Sequence, residues 1–373
     1  MRVQVVDPSA YTPPYDRALC AALARAGADV ELVTSRFAYG DVPAPEGYRV
    51  SELFYRRAAR FGAGGRGRFP AKLAEHVPDM LRYRRHARAA DVVHWQWLTV
   101  QPVDALLLPP VHPRVLTAHD ILPREPRPGQ LTATRRLLAK MDAVVAHSNH
   151  GARRLTHELG LDAGRVHVIP HGAFDYLTRL PDERPLAPEL AEVEGPVVLF
   201  FGLLRPYKGV ELLIEAFHDI DGAELWVVGM PRMPLEPLRE LAGAVRGRVR
   251  FVPRFVDDAE IPAFFRRADI VALPYRETDQ SGVLFTALAF GKPIVVSAVG
   301  GFGELAAQGA ARSVPPNSPR ELAAALQELL DDDAERRRLA AAAAAAAAGP
   351  YSWDSIAQRT MTLYRALVDA RAS

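Results

Sequence analysis

The chain has 373 residues, 49% hydrophobic and 24% charged, with a formal net charge of +2. That length exceeds one ordinary core and implies two domains, and the composition excludes wholesale disorder. One cysteine, Cys20, excludes an internal disulfide and reads as a core residue of an apolar helix. No apolar run approaches the ~20 residues of a membrane span. Residues 1–8 enter a strand without a secretory pattern, so a cytoplasmic protein is expected. The chain shows no nucleic-acid module, and no nucleic-acid partner is expected.

Short apolar runs alternate with helical patterns along the first half. Residues 3–6 read as a strand, 15–25 as a helix closed by Gly27, and 30–34 as a second strand. Residues 40–70, rich in Gly, Pro and Arg, read as loop with short elements. Further strands are expected at 91–94, 115–118, 143–146 and 166–169. The proline- and charge-rich run 173–196 reads as an interdomain linker. Strands then follow at 197–201, 224–228, 249–252, 269–273, 294–297 and 312–314, and the chain is helical after Pro319. Its last amphipathic segment covers 353–368. Such alternation predicts an α/β protein of doubly wound parallel sheets.

Two stretches carry chemistry. The first is a buried-strand pattern at 197–201, then Gly202, a basic loop with Arg205 and Lys208, and a helix starting near Gly209. Cations at the carboxyl end of a strand, beside a helix amino end, suit an anionic ligand such as a diphosphate. Read alone, Lys208 is a loop lysine that buries little. The second is the loop 274–282 between a strand and a helix. Ser281 falls where a side chain caps the helix, and Gly282 lets a ligand approach backbone amides.

Together these stretches resemble the donor half of GT-B glycosyltransferases of family 4, also called glycosyltransferase group 1. The resemblance implies two Rossmann-like domains facing each other across a cleft. The expected boundaries are 1–172 for the acceptor side, 173–196 for the linker and 197–350 for the donor domain. A C-terminal helix, 351–373, is expected to cross back to the first domain. Gly202 with Lys208-Gly209 fits the family's donor loop, although Leu203 stands where the family usually has Arg. Lys208, helped by Arg205, is therefore expected on the diphosphate. Ser281, Gly282 and Val283 fall where the family's backbone amides meet phosphate. The family's ribose-holding glutamate is replaced by Thr286. Strict counting puts its sugar-binding glutamate at Thr278, one place from Glu277, to which that role is assigned. His119, at the end of a strand, resembles the family's histidine near the donor sugar. The family's first loop usually has a Gly-Gly pair near the phosphates. Residues 8–16 here have no glycine, and a contact from the Tyr11 or Thr12 side chain is expected instead.

The resemblance implies a retaining transferase that moves a hexose from a UDP- or GDP-linked donor to a hydroxyl, without metal or cofactor. The candidate catalytic residues are His119, Lys208 and Arg205. The candidate donor-binding residues are Gly202, Glu277, Ser281, Gly282, Val283 and Thr286. A nucleotide-sugar epimerase of the same architecture and a non-catalytic partner subunit remain open alternatives. His147, His150 and His157 read as surface histidines rather than a metal site. Trp95 and Trp97 read either as core or as a sugar-facing pair. Residues 51–90 hold ten Lys/Arg against three acids, a balance of +7, with scattered aromatic and aliphatic residues. A solvated face, an acidic acceptor and a peripheral contact with an anionic membrane remain open for this block. Glycines and Pro70 argue there against a clean amphipathic helix.

Overall fold

The computed structural model describes the chain except residues 39, 41, 63, 99, 123–127 and 373. It divides into two compact units, residues 1–172 with 353–373, and residues 173–352. In the first unit the elements run β1 (Arg2–Asp7), α1 (Pro13–Arg25), β2 (Asp29–Ser35), β3 (Arg49–Phe54), α2 (Arg68–His86), β4 (Val92–Trp95), α3 (Gln101–Leu107), β5 (Arg114–Thr117), α4 (Gln130–Leu138), β6 (Ala143–Ala146), α5 (Asn149–His157) and β7 (Val166–Val168). Among the described residues they form a parallel sheet in the order β3-β2-β1-β4-β5-β6-β7.

The second unit runs α6 (Pro188–Ala191), β8 (Val197–Phe201), α7 (Val210–Ala216), β9 (Glu224–Val228), α8 (Glu236–Ala244), β10 (Arg248–Val252), α9 (Ile261–Arg267), β11 (Ile270–Leu273), α10 (Gly282–Ala289), β12 (Ile294–Ser297), α11 (Phe302–Ala307), β13 (Arg312–Val314), α12 (Pro319–Asp331) and α13 (Asp333–Ala348). Its parallel sheet has the order β10-β9-β8-β11-β12-β13. The last helix, α14 (Trp353–Ala372), belongs to the first unit and packs on α1. Arg25 pairs there with Asp354, and His94 meets the Tyr364 hydroxyl 2.5 Å away.

Each sheet reverses its strand order once, at β1/β4 and at β8/β11. Loops leaving the carboxyl ends of those strands flank the crevice where open α/β sheets take ligands. The central strands of the second sheet, β8 and β11, are apolar throughout because helices cover both faces, as in Val197 to Phe200, which are fully buried. β3 is one of the short elements expected within 40–70. Its sequence, Arg-Val-Ser-Glu-Leu-Phe, sits at the sheet edge, and only Leu53 and Phe54 are buried, so no apolar run marks it. The helix α2 corrects the reading that glycines and Pro70 argue against a helix in the 51–90 block: it starts after those glycines, Pro70 falls in its first turn, where a missing N–H costs nothing, and Pro78 is accommodated within it.

Candidate functional site

In the second unit, β8 ends at Gly202, whose φ of 108° is open to glycine and strained for other residues. The loop turns through 206–208 and reaches Gly209, which has φ 66° and precedes α7. A side chain on Gly209 would collide with the Pro274 carbonyl oxygen, so the glycine lets this loop pack on the end of β11. That packing carries Lys208 inward. Lys208 is buried, with 7% of its surface exposed, which corrects the expectation of a loop lysine that buries little. Its Nζ lies 5.1 Å from the ring centre of Tyr275, a cation-π arrangement. A Cβ built on Gly202 would fall 3.0 Å from Lys208 Nζ and 3.1 Å from Val283 Cγ2. Gly202, the Lys208 amine and the first turn of α10 therefore converge at the β8/β11 switch point.

The α10 end is open. Ser281 occupies the capping position, but its side chain makes no cap bond, contrary to the sequence reading. Its Oγ lies instead 3.2 Å from the Tyr275 hydroxyl. Among the described residues no backbone acceptor meets the Gly282 or Val283 amide. Gly282 is exposed and Val283 half-buried, and their amides stand at the positive end of a helix dipole. Thr286 is buried and donates its hydroxyl to the Gly282 carbonyl at 3.0 Å, which leaves its oxygen lone pairs to accept. Thr278 is buried and bonds the Gln280 carbonyl at 2.8 Å, whereas Glu277 is exposed. Arg205 is exposed on the loop before Lys208. Tyr275 was not singled out from sequence. The signal available was its place two residues beyond a fully buried strand.

In the first unit the corresponding loop, after β1, is already filled. The buried Asp7 carboxylate accepts from the amides of Ser9 at 3.1 Å, Thr12 at 3.2 Å and Tyr11. Burial pushes the carboxyls of Asp7 and Asp16 upward, Asp16 furthest, because Asp7's charge adds to its desolvation. The Thr12 hydroxyl lies 3.3 Å from Asp16 and accepts from the Trp97 indole at 3.0 Å. Tyr11 is 63% exposed, 4.9 Å from Trp97 ring to ring.

His119 lies beyond β5, half-buried and stacked on Trp97 at 5.1 Å. Trp95 is core and Trp97 lines this site, which separates the two tryptophans. Burial, followed by the neighbouring His147, His171 and His94, holds His119 well below the usual histidine range. Burial likewise pushes His147 down to about 4, and His94 and His171 to about 3. The reading of His147 as a surface residue is corrected: it is buried, before α5 rather than on it. Its Nδ1 meets the Ile169 carbonyl at 3.0 Å, and its Nε2 lies 3.3 Å from His119 Nδ1. With both rings neutral, one proton placement satisfies this chain. His147 Nδ1–H donates to Ile169, and His119 Nδ1–H donates to His147. His119 Nε2 is then an acceptor. Gln96 Oε1 stands 3.0 Å from it, and exchanging the two ends of that amide places an N–H that donates to His119 Nε2.

Among the described residues no cluster of three metal-ligating side chains forms. A cavity of about 720 Å³, lined by Glu189, Glu192, Glu224, Arg246, Arg248 and Arg250 among others, opens at the amino ends of β8–β10. It lies at the opposite sheet edge from the Lys208 loop, and Arg248 and Arg250 are paired there with Glu224.

Two doubly wound parallel sheets of this kind are the fold of GT-B proteins. The structure resembles sucrose-phosphate synthase from Thermosynechococcus elongatus with a TM-score of 0.76 and 22% identity, covering 99% of this chain and 100% of that one. It also resembles Anabaena HepE in complex with UDP-glucose, with a TM-score of 0.73 and 20% identity over 97% and 99% of the two chains. Residues 17–173 match Glycosyltransferase Family 4, and residues 195–332 match glycosyl transferases group 1. A D-inositol 3-phosphate glycosyltransferase of Kineococcus radiotolerans is 30% identical, covering 95% of this chain and 90% of the relative. The chain belongs to the group 1 glycosyltransferases.

Proposed function

We propose that this glycosyltransferase moves a hexose from a nucleoside diphosphate donor, UDP- or GDP-linked, to an acceptor hydroxyl with retention at the anomeric carbon and without a metal. The observation that carries the reading is the convergence of Gly202, the buried Lys208 amine and the uncapped start of α10. A diphosphate leaving group builds negative charge as the glycosidic bond breaks. A fixed cation and two free amides in a partly desolvated crevice stabilise that charge without reorganising. Lys208 supplies the charge, Gly282 and Val283 supply amides, and Ser281 adds a hydroxyl. Exposed Arg205 adds a screened contribution. Thr286 would accept from a ribose hydroxyl with one oxygen instead of two, and Glu277 would bind sugar hydroxyls. Neutral His119 would serve the donor sugar through hydrogen bonding rather than charge.

Among the described residues no carboxylate pair accompanies Lys208 in a way that suits double displacement. Retention then implies attack on the face the leaving group departs from, with its phosphate taking the acceptor proton. D-inositol 3-phosphate is the first acceptor to try, given the name carried by the relative that covers most of the chain. The test is proton NMR of donor turnover with UDP-glucose and GDP-mannose, alone and with that acceptor. A product keeping the donor's anomeric configuration supports the reading. An inverted product, or a donor epimerised without transfer, would overturn it.

A further inference from the structure

The helix α2 is turned inside out relative to an ordinary surface helix. Its buried side chains include His76, Asp79 and Tyr83, while Phe69 is 71% exposed, Leu73 50%, Val77 41% and Leu81 46%. These four stand at intervals of four residues, so they form one ridge about 18 Å long at the 1.5 Å helical rise. Pro70, Ala74 and Pro78 are exposed beside them, so that face carries no polar side chain for three turns. At its amino end the ring of Phe61, 50% exposed, lies against Gly67, where a side chain would collide with it.

Three polar residues of α2, Glu75, His76 and Asp79, have inward work. His76 bridges the Tyr55 hydroxyl at 2.7 Å and Asp104 at 2.8 Å. Glu75 accepts from the Arg57 and Ala58 amides, and Asp79 from the Tyr55 amide and Arg82. Two of the three acids in the 51–90 block are thereby engaged by the protein itself. Arg56, Arg57, Arg60, Arg66, Arg85 and Arg88, on α2 and the segments flanking it in the chain, are exposed, and among the described residues none of them pairs with an acid.

An apolar ridge bordered by unneutralised arginines selects its occupant. A second copy presenting the same face would bring arginine against arginine. An anionic bilayer accepts both features, the ridge entering the acyl boundary and the arginines meeting phosphate headgroups. We propose that α2 docks this protein on an anionic lipid surface. The inference is independent of the donor site and stands or falls without it.

The test is sedimentation of the full chain with vesicles of phosphatidylcholine alone or mixed with phosphatidylglycerol, at low and moderate salt. The expected result is pelleting with the anionic vesicles only, weakened by salt. Leu73→Glu with Val77→Glu should lower partitioning by at least about thirtyfold. Arg60→Ser, Arg66→Ser and Arg85→Ser together should lower it about a hundredfold at low salt. All five positions are exposed, so melting temperatures should hold in both variants. No pelleting with anionic vesicles, equal pelleting with neutral ones, or binding unchanged in both variants would overturn the proposal. A lipid-free dimer dissolved by the Leu73→Glu and Val77→Glu pair would also overturn it, assigning the face to a second copy.

Discussion

The loops after β1 and β8 occupy the same place in two copies of one topology, at the carboxyl end of the first strand on one side of the switch point. One is closed by the protein's own anion. Asp7 takes the amides of Ser9, Tyr11 and Thr12, so no amide of that set is left for a ligand phosphate. The other is open: its glycine carries no side chain, its lysine faces the vacant position, and the neighbouring helix lacks a cap. The same backbone plan therefore yields an internally satisfied turn in one unit and, in the other, a turn that leaves a lysine amine beside an uncapped helix start. The difference lies in where the charged side chain comes from. An acid at the strand end consumes amide donors, and a lysine brought in by a glycine turn adds to them.

The largest expected effect follows from removing that lysine's charge. Lys208→Met keeps most of the buried stem and should raise the transfer barrier by ~2–4 kcal/mol. Because Lys208 is buried, the melting temperature should be followed beside kcat; a near-normal kcat would break the comparison on the open side. On the closed side, Asp7→Ala leaves three amides without their charged acceptor and should cost roughly 2–4 kcal/mol of stability. Thermal melting checks the cost, and nucleoside diphosphate affinity should be unchanged. An affinity lost with Asp7 would mean that the first loop also holds phosphate.

Acid should separate the two units as well. The buried His94, His147 and His171 have lowered pKa values, so between about pH 6.5 and 4 the unfolded chain binds protons that the folded chain refuses. Stability of the first unit then falls as pH drops, by up to about 1 kcal/mol per pH unit for each histidine. The carboxyl of Asp16, which burial and Asp7's charge raise, acts in the opposite sense. Denaturant melts at pH 7 and pH 5, with His147→Gln as the comparison, should show a smaller acid loss in the variant.

Much of the donor-side plan was legible as pattern. The apolar run from Val197 to Phe201, the Lys208-Gly209 pair and the Ser281-Gly282 boundary are local signals, and the elements fall where those signals put them. Burial of Lys208 was not legible, because it depends on Gly209 packing against Pro274, sixty-five positions away in the chain. His147 was missed for a similar reason: its neighbours His119 and Ile169 come from other strand ends. The α2 ridge was obscured by the glycines before Arg68 and by Pro70, which weigh against a helix in sequence; the helix starts beyond those glycines and takes Pro70 in its first turn.

The smallest effect concerns Thr286. Thr286→Val removes the hydroxyl that bonds Gly282 and should weaken nucleoside diphosphate binding by no more than about 1 kcal/mol. Calorimetry on the purified variant checks it, and a loss as large as that of Lys208→Met would place the main anchor on α10 instead.

The most direct test of the open-loop account is the affinity margin between a nucleoside diphosphate and its nucleoside, measured by calorimetry. UDP against uridine and GDP against guanosine should be titrated into wild type, Lys208→Met and Asp7→Asn. The account predicts that one diphosphate binds wild type at least about thirtyfold tighter than its nucleoside, the scale of two or so kcal/mol for charged contacts. Most of that margin should vanish in Lys208→Met and survive in Asp7→Asn. A margin that survives in Lys208→Met, or vanishes in Asp7→Asn, would contradict it.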